Sequence, residues 1–281
     1  MKKLLIANRG EIAIRIGQTA KELGYSTIAV FPEDDASALH VQQSDESVQI
    51  PGAGAQAYLN IEEIINAAKT CAADAVHPGY GFLSENPDFA KACDDAGINF
   101  VGPTAAQLSI FGNKAGARAL AAELGIPLVP GTNEDTSLAA VIDFQDQHPD
   151  KGVVIKAISG GGGRGMRIVE DRNEIEKSFE RCKSEANLAF GDDRVYVELL
   201  IHRARHIEVQ IVGDGTGGVT HLWERDCSTQ RQNQKIVEVA PSPNMPESTR
   251  TALLQASVKM ASHASYRGVG TFEFLVNADQ P

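Results

Sequence analysis

The residues whose types and spacing point most directly to chemistry lie between Lys156 and Met166. Gly160, Gly161, Gly162, Gly163 and Gly165 place five glycines in six positions, after Lys156 on the β-branched run Val153-Val154-Ile155 and before Met166-Arg167-Ile168-Val169. Both flanks have strand composition. Glycine lacks a Cβ, so the loop between them can turn through φ > 0 and bring successive N–H groups against an anion. Lys156 would add an ammonium beside the same phosphates. Gly160-x-Gly162-x-x-Gly165 formally fits the dinucleotide fingerprint, but that motif opens a helix and here a strand follows. The phosphate-loop motif ends in Gly-Lys-Ser/Thr, whereas this loop ends in Gly165-Met166. The spacing therefore predicts a hairpin flap over a nucleotide, as in the protein-kinase glycine loop. It differs in one respect: Lys156 precedes the loop, and the kinase lysine follows it.

A second polar set lies downstream. Between Glu224 and Lys235, Arg231 and Lys235 offer cations while Gln230, Asn233 and Gln234 offer neutral hydrogen-bond partners. Such a set suits a small oxyanion and the stabilisation of developing phosphate charge. In Phe272-Glu273-Phe274-Leu275-Val276 the carboxylate alternates with apolar residues, so Glu273 is the candidate ligand for a hard cation. Strict alternation over 205–212 sets Ile207, Val209 and Ile211 on one strand face and His206, Glu208 and Gln210 on the other.

These residues need a scaffold, and the chain begins as one. Leu4-Leu5-Ile6-Ala7 reads as a strand, followed by a turn at Asn8-Arg9-Gly10, a helix with Ile12, Ile14 and Ile16 inside, a Gly24 cap and a strand at 26–31. Helices near 61–70 and 88–96 alternate with strands at 75–77 and 99–102, the rhythm of a doubly wound parallel sheet. The first turn has one glycine where a dinucleotide fold has three, which places the nucleotide site elsewhere. His77-Pro78-Gly79-Tyr80-Gly81-Phe82 leaves a strand's carboxyl end, the ligand edge of such sheets. With 281 residues and a net charge of −11, from 26 basic and 37 acidic side chains, the chain is not expected to bind nucleic acid or a membrane. Four scattered cysteines without a C-x-x-C pair read as reduced thiols, and with no signal segment or spanning apolar run the expected location is cytoplasmic.

Leu4 to Ala13, His77 to Asn86, and Lys156 with Gly160 to Met166 together resemble the biotin carboxylase family of ATP-grasp enzymes, in order and over essentially the whole chain. The resemblance implies an α/β fold: a Rossmann-like domain over 1–113, a helical connector over 114–131, a glycine-rich lid over 132–203 and an incomplete ATP-grasp core over 204–281. It implies ATP with Mg²⁺ or Mn²⁺, and biotin as the acceptor of a carboxyl group made from bicarbonate through carboxyphosphate. Lys114 would reach the nucleotide phosphates beside Lys156. Glu198 and Leu199 would read adenine, Ile201 and Met166 would cover its faces, His206 would lie near the sugar, and Lys235 would hold bicarbonate or carboxyphosphate. At position 199 leucine stands where the family usually has lysine, and Gln232-Asn233 stand where arginine and histidine are usual.

Family members continue past Asn277-Ala278-Asp279-Gln280-Pro281 with a second metal-binding glutamate, an asparagine, an arginine and a glutamate that deprotonates bicarbonate. On this reading the chain is a piece that is inactive or impaired alone. Its partners would be a biotin carrier and a carboxyltransferase, with a homodimer in the longer form. Two alternatives stay open: another ATP-grasp carboxylate ligase, and a nucleotide-binding module without catalysis.

Overall fold

The computed structural model describes residues 2–132, 135–159, 165–232 and 234–279. They form two compact units, 1–109 and 110–281. In the first, strands β1 (Lys3–Ile6), β2 (Ser26–Phe31), β3 (Glu46–Gln49), β4 (Ala75–His77) and β5 (Asn99–Phe100) make one sheet in the order β3-β2-β1-β4-β5. Every pairing in it is parallel. Helices α1 (Gly10–Glu22), α2 (Leu39–Gln42), α3 (Gly54–Ala57), α4 (Ile61–Thr70) and α5 (Pro87–Asp95) fill the connections, and α6 (Ala105–Gly112) follows. Asn60 and Asn86 cap α4 and α5 with side-chain oxygens on the first backbone N–H groups.

Two details differ from the sequence reading. Strand β3 has half-polar alternation over only four residues, too short to stand out by pattern. In α1, Ala13, Ile16 and Ala20 are buried, and Ile14 is only partly covered. Ile12 and Ile16 are four residues apart and share a face; Ile14 lies two residues from each, which in a helix turns it away.

The order in which the chain adds strands reverses between β1 and β4, the place where open α/β sheets have a crevice. Asn8 spans it. Its amide nitrogen donates to the carbonyls of Pro78 (2.7 Å) and Tyr80 (2.8 Å), and Tyr80 donates its hydroxyl to Glu11. Gly79 has φ +69°, and a Cβ there would stand 2.6 Å from the Asn8 nitrogen. Only glycine fits so close an approach.

The second unit holds two antiparallel sheets. Strands β6 (Val153–Ala157), β7 (Met166–Val169) and β8 (Val195–Leu199) are ordered β7-β6-β8, flanked by α8 (Leu138–Asp146) and α9 (Ile175–Phe190). Strands β9 (Ala204–Asp214), β10 (Val219–Arg231), β11 (Gln234–Val239) and β12 (Arg267–Asn277) are ordered β11-β10-β9-β12, with α10 (Glu247–His263) against β9 and β10. In the polar segment, residues 224–231 thus belong to β10 and Gln234-Lys235 to β11, with the register irregular between Asp226 and Gln230. Helix α7 (Lys114–Glu123) precedes both sheets. The thiols of all four cysteines are free. Among the described residues no helix is long and apolar enough to cross a membrane.

Pro130 to Thr132 runs along β8, accepting from Leu199 and donating to Val197 at 2.9 Å each. A Cβ on Gly131 would lie 2.4 Å from the Val197 carbonyl oxygen and 2.9 Å from Glu198 Cγ, whereas one on Gly112 meets nothing within 4 Å. Gly131→Ala is expected to destabilise the second unit by about 1–3 kcal/mol, and Gly112→Ala by no more than about 0.5 kcal/mol. Urea unfolding followed by fluorescence of Trp223, the one tryptophan of the chain, reads this unit.

Candidate functional site

Period-two alternation builds the first half of the site. In β6 and β8, Val153, Ile155, Val195, Val197 and Leu199 pack with Val141, Ile175 and Phe179 in one core. The opposite face must then carry Lys156, Tyr196 and Glu198. Lys156 pairs in register with Tyr196, and Val154 with Glu198, so Lys156 and Glu198 are diagonal neighbours. The Glu198 carboxylate is only 7% exposed and takes two cations: Lys156 Nζ donates to Oε2, and Arg118 Nη1 donates to Oε1 at 2.5 Å. Arg118 Nη2 donates to the Val129 carbonyl at 3.0 Å, and its guanidinium lies over the Tyr196 ring, 5.8 Å from the centroid. A carboxylate withdrawn this far from water is tolerated only with such pairing.

Lys114 opens α7, where Asn113 caps the helix by accepting from the N–H groups of Ala115 and Gly116. Burial first, and then the charge of Lys156, pull the Lys114 ammonium below the usual lysine range; Glu198 and Glu273 oppose the shift. A cation at a helix N-terminus also meets the positive end of the helix dipole. Lys114 therefore sits within electrostatic reach of Lys156, Glu198 and Glu273 together, although they come from three sheet strands and two different sheets.

The second half is built on the four-stranded sheet. Ile207, Val209 and Ile211 are fully buried, as the alternation requires, and His206, Glu208 and Gln210 face the other way. Register sets Glu208 opposite Glu273 of β12 and Arg225 of β10. Lys235 reaches across from β11, with Nζ 2.5 Å from Glu208 Oε2 and 3.3 Å from Glu273 Oε1. Arg225 pairs with Glu208 and, at 3.0 Å, with Glu238. Burial would lower the pKa of Lys235, but its hydrogen bond to Glu208 and the charges of Glu273 and Glu208 raise it, so the ammonium persists. His206 Nδ1 stands 4.0 Å from Glu273 Oε1. His206 and Lys235 hold the Glu273 carboxylate down at about 2 against the effect of burial, so it is ionised throughout the working range.

Several sequence-stated roles take a different form. Leu199 is buried in the apolar core and its N–H donates to the Pro130 carbonyl, so neither its side chain nor that N–H faces a ligand. Both Glu198 oxygens serve cations rather than standing open for a base. Gln230 pairs in register with Lys235, but its amide nitrogen donates to the Cys227 carbonyl at 2.9 Å and is turned into the strand. Met166 is half-buried opposite Lys156 in register, and Ile201 is half-buried just past β8. Gly165 is described, at φ +63°. Gly160, Gly161, Gly162, Gly163 and Asn233 lie outside the described residues.

The sequence reading did not include Arg118, Tyr196, Glu208 or Arg225 in the site. Arg118 carried a signal, because it falls four residues after Lys114 on the same helix face. Glu208 shared the polar face of its strand with His206. Among the described residues, Glu208, Cys227 and Glu238 bring possible metal-ligating atoms within 4.8 Å of one another. Arg225 and Lys235 already neutralise the two carboxylates, and burial pushes the Cys227 thiol up to about 11, so this trio does not fit a metal ion. Glu273 is different: ionised and 54% exposed, it fits one hard oxygen ligand of a cation whose other ligands come from elsewhere.

Lys114 yields a pH-dependent stability. Its folded pKa lies below the ordinary 10.5, so the unfolded chain binds the proton more tightly. The penalty is full below the folded pKa and disappears as pH rises from there to the ordinary value. Lys114→Met should therefore be more stable than the parent at neutral pH, with the difference closing towards pH 10.5. Urea titrations of both proteins between pH 7 and 10.5 check this.

Comparison with known proteins places this geometry in context. Residues 1–108 match the family model "Biotin carboxylase, N-terminal domain", and residues 113–281 match "Carbamoyl-phosphate synthase L chain, ATP binding domain". The pyruvate carboxylase of Staphylococcus aureus is 46% identical over 282 aligned residues, which take in 100% of this chain and 24% of that protein. The chain thus spans about a quarter of the length of this curated relative. A biotin carboxylase from Campylobacter jejuni, solved as a beta-gamma-ATP complex, superposes with a TM-score of 0.96 at 43% identity, over 100% of this chain and 63% of that one. The biotin carboxylase domain dimer of Hydrogenobacter thermophilus 2-oxoglutarate carboxylase, solved with MgADP, ADP and bicarbonate, gives 0.95 at 40% identity, over 100% and 62%.

Proposed function

The chain belongs to the biotin carboxylase family, and we propose that it forms the nucleotide- and bicarbonate-handling part of an ATP-dependent biotin carboxylase. The observation that carries the proposal is the pair of cation–carboxylate clusters, Lys156 and Arg118 on Glu198 and Lys235 between Glu208 and Glu273. Lys114, whose ammonium is weakened by burial and by the charge of Lys156, gains from an arriving anion. A triphosphate is such an anion. Lys114 and Lys156 take its phosphates together with the N–H groups of Gly160, Gly161, Gly162, Gly163 and Gly165. Met166 and Ile201 are assigned to the faces of the adenine, the backbone around Glu198 to its polar edge, and His206 to the sugar.

The second cluster handles the oxyanion. Lys235 stays protonated because Glu208 and Glu273 surround it, and it supplies a fixed positive charge for bicarbonate, with Asn233 as a neutral partner; Gln230 would join it only by giving up its bond to the Cys227 carbonyl. Attack of a bicarbonate oxygen on the γ-phosphorus displaces ADP, with the bicarbonate proton lost to a base, and gives carboxyphosphate; this splits into CO₂ and inorganic phosphate, and the phosphate accepts the N1 proton of biotin as N1 bonds to CO₂. Charge then builds on oxygens beside Lys235, and stabilising it there is where a preorganised ammonium contributes most. Glu273 is the protein ligand assigned to Mg²⁺ or Mn²⁺, which when bound neutralises phosphate charge. The lid is assigned to 132–203, and the longer polypeptide is proposed to work with a biotin carrier and a carboxyltransferase, as a dimer.

The test is ADP release by the longer polypeptide in bicarbonate, with and without free biotin. Release should rise with biotin, and Lys235→Gln should lower the rate by about 10²–10³-fold while ADP affinity changes little. ADP release indifferent to biotin and bicarbonate would favour a different carboxylate ligase; ADP binding with no turnover would favour a module without catalysis.

A further inference from the structure

Glu198 presents an arrangement that phosphate binding alone does not explain. If Lys156 is to hold a phosphate, its ammonium must loosen its hold on the carboxylate with which it is paired. A buried carboxylate abandoned by its cation would oppose that transfer strongly. Arg118 removes the obstacle. It holds the other oxygen at 2.5 Å, is itself only 11% exposed, and is fixed at a second point by the Val129 carbonyl and over the ring of Tyr196. A planar guanidinium pinned in this way stays with the carboxylate whatever Lys156 does. Lys156, at 20% exposed and on a flexible stem, is the partner able to move.

We propose that Arg118 is a positioning residue: by keeping the Glu198 carboxylate paired, it releases Lys156 to bind an anionic ligand, here the polyphosphate of a nucleotide. The inference rests on the nucleotide reading above. Arg118 touches no reacting atom. It sets how tightly Glu198 competes with the ligand for Lys156, and so acts on binding of the phosphates and not of the base.

Binding of three probes, ATP, inorganic tripolyphosphate and adenosine, to the longer polypeptide tests this by calorimetry. Arg118→Met should weaken ATP and tripolyphosphate by roughly tenfold or more, the size of one charged hydrogen bond, and leave adenosine within about threefold. Adding Glu198→Gln removes the competitor, so the double variant should recover most of the loss. Arg118→Lys, which keeps the charge but loses the second hold on Val129 and the contact with the Tyr196 ring, should fall between the parent and Arg118→Met; it carries the test together with Glu198→Gln if Arg118→Met loses the Trp223 signal of the folded unit. Equal losses for adenosine and tripolyphosphate, or further loss in the double variant, would mean that Arg118 only supports local structure, and would overturn the proposal. Unchanged ATP affinity in Arg118→Met would overturn it while leaving the nucleotide reading standing. A parent protein that binds neither ATP nor tripolyphosphate would overturn both.

Discussion

A carboxylate withdrawn from water must be given a cation, and the second unit is arranged around three such demands. Glu198 meets Arg118 and Lys156; Glu208 meets Arg225 and Lys235; Glu224, fully buried, meets Arg250 at 2.9 Å. Each pair brings together different elements, so the pairing dictates how strands and helices are placed as much as the apolar cores do. The free-energy cost of breaking such a pair far exceeds the net gain from making it. That asymmetry makes the pairs exacting: they contribute little to stability but tolerate few alternative arrangements.

The same constraint explains why cations accumulate in a protein of net charge −11. Lys156 and Lys235 are held on carboxylates, and their surroundings shift the protonation of Lys114 and Lys235 in opposite directions. Lys235, next to Glu208 and Glu273, is kept charged; Lys114, partly buried and under the charge of Lys156, is weakened. The two lysines have opposite environments, and the proposed roles differ accordingly. One is a permanent charge for an oxyanion. The other gains most from an arriving anion, which would relieve both its burial and its repulsion.

The first unit solves a different problem. Its parallel sheet leaves a crevice at the reversal between β1 and β4, and the Asn8 amide closes it by tying the two emerging loops together. Gly79 is what lets the backbone come near enough. The Gly-Tyr-Gly-Phe stretch that stood out by composition is therefore held by a side chain seventy residues earlier.

Much of this was legible in the residues. Period-two alternation assigned the inner and outer faces of β9 and β12, and the glycine-rich run with its preceding lysine, together with the stretches 4–13 and 77–86, pointed to the family. Helix α1 shows the limit of the same reasoning, since a run of alternating isoleucines was placed wholly inside and Ile14 is not. Local pattern determines which face a side chain occupies, because backbone geometry repeats every two or 3.6 residues. It says nothing of what stands opposite. Arg118 and Glu198 are 80 residues apart, Lys156 and Glu198 are 42 apart, and Lys235 and Glu208 are 27 apart. Only strand register and the packing of α7 bring them together, so the residues able to carry the chemistry were written in the sequence, while the partners that set their charge and freedom were decided by the tertiary structure.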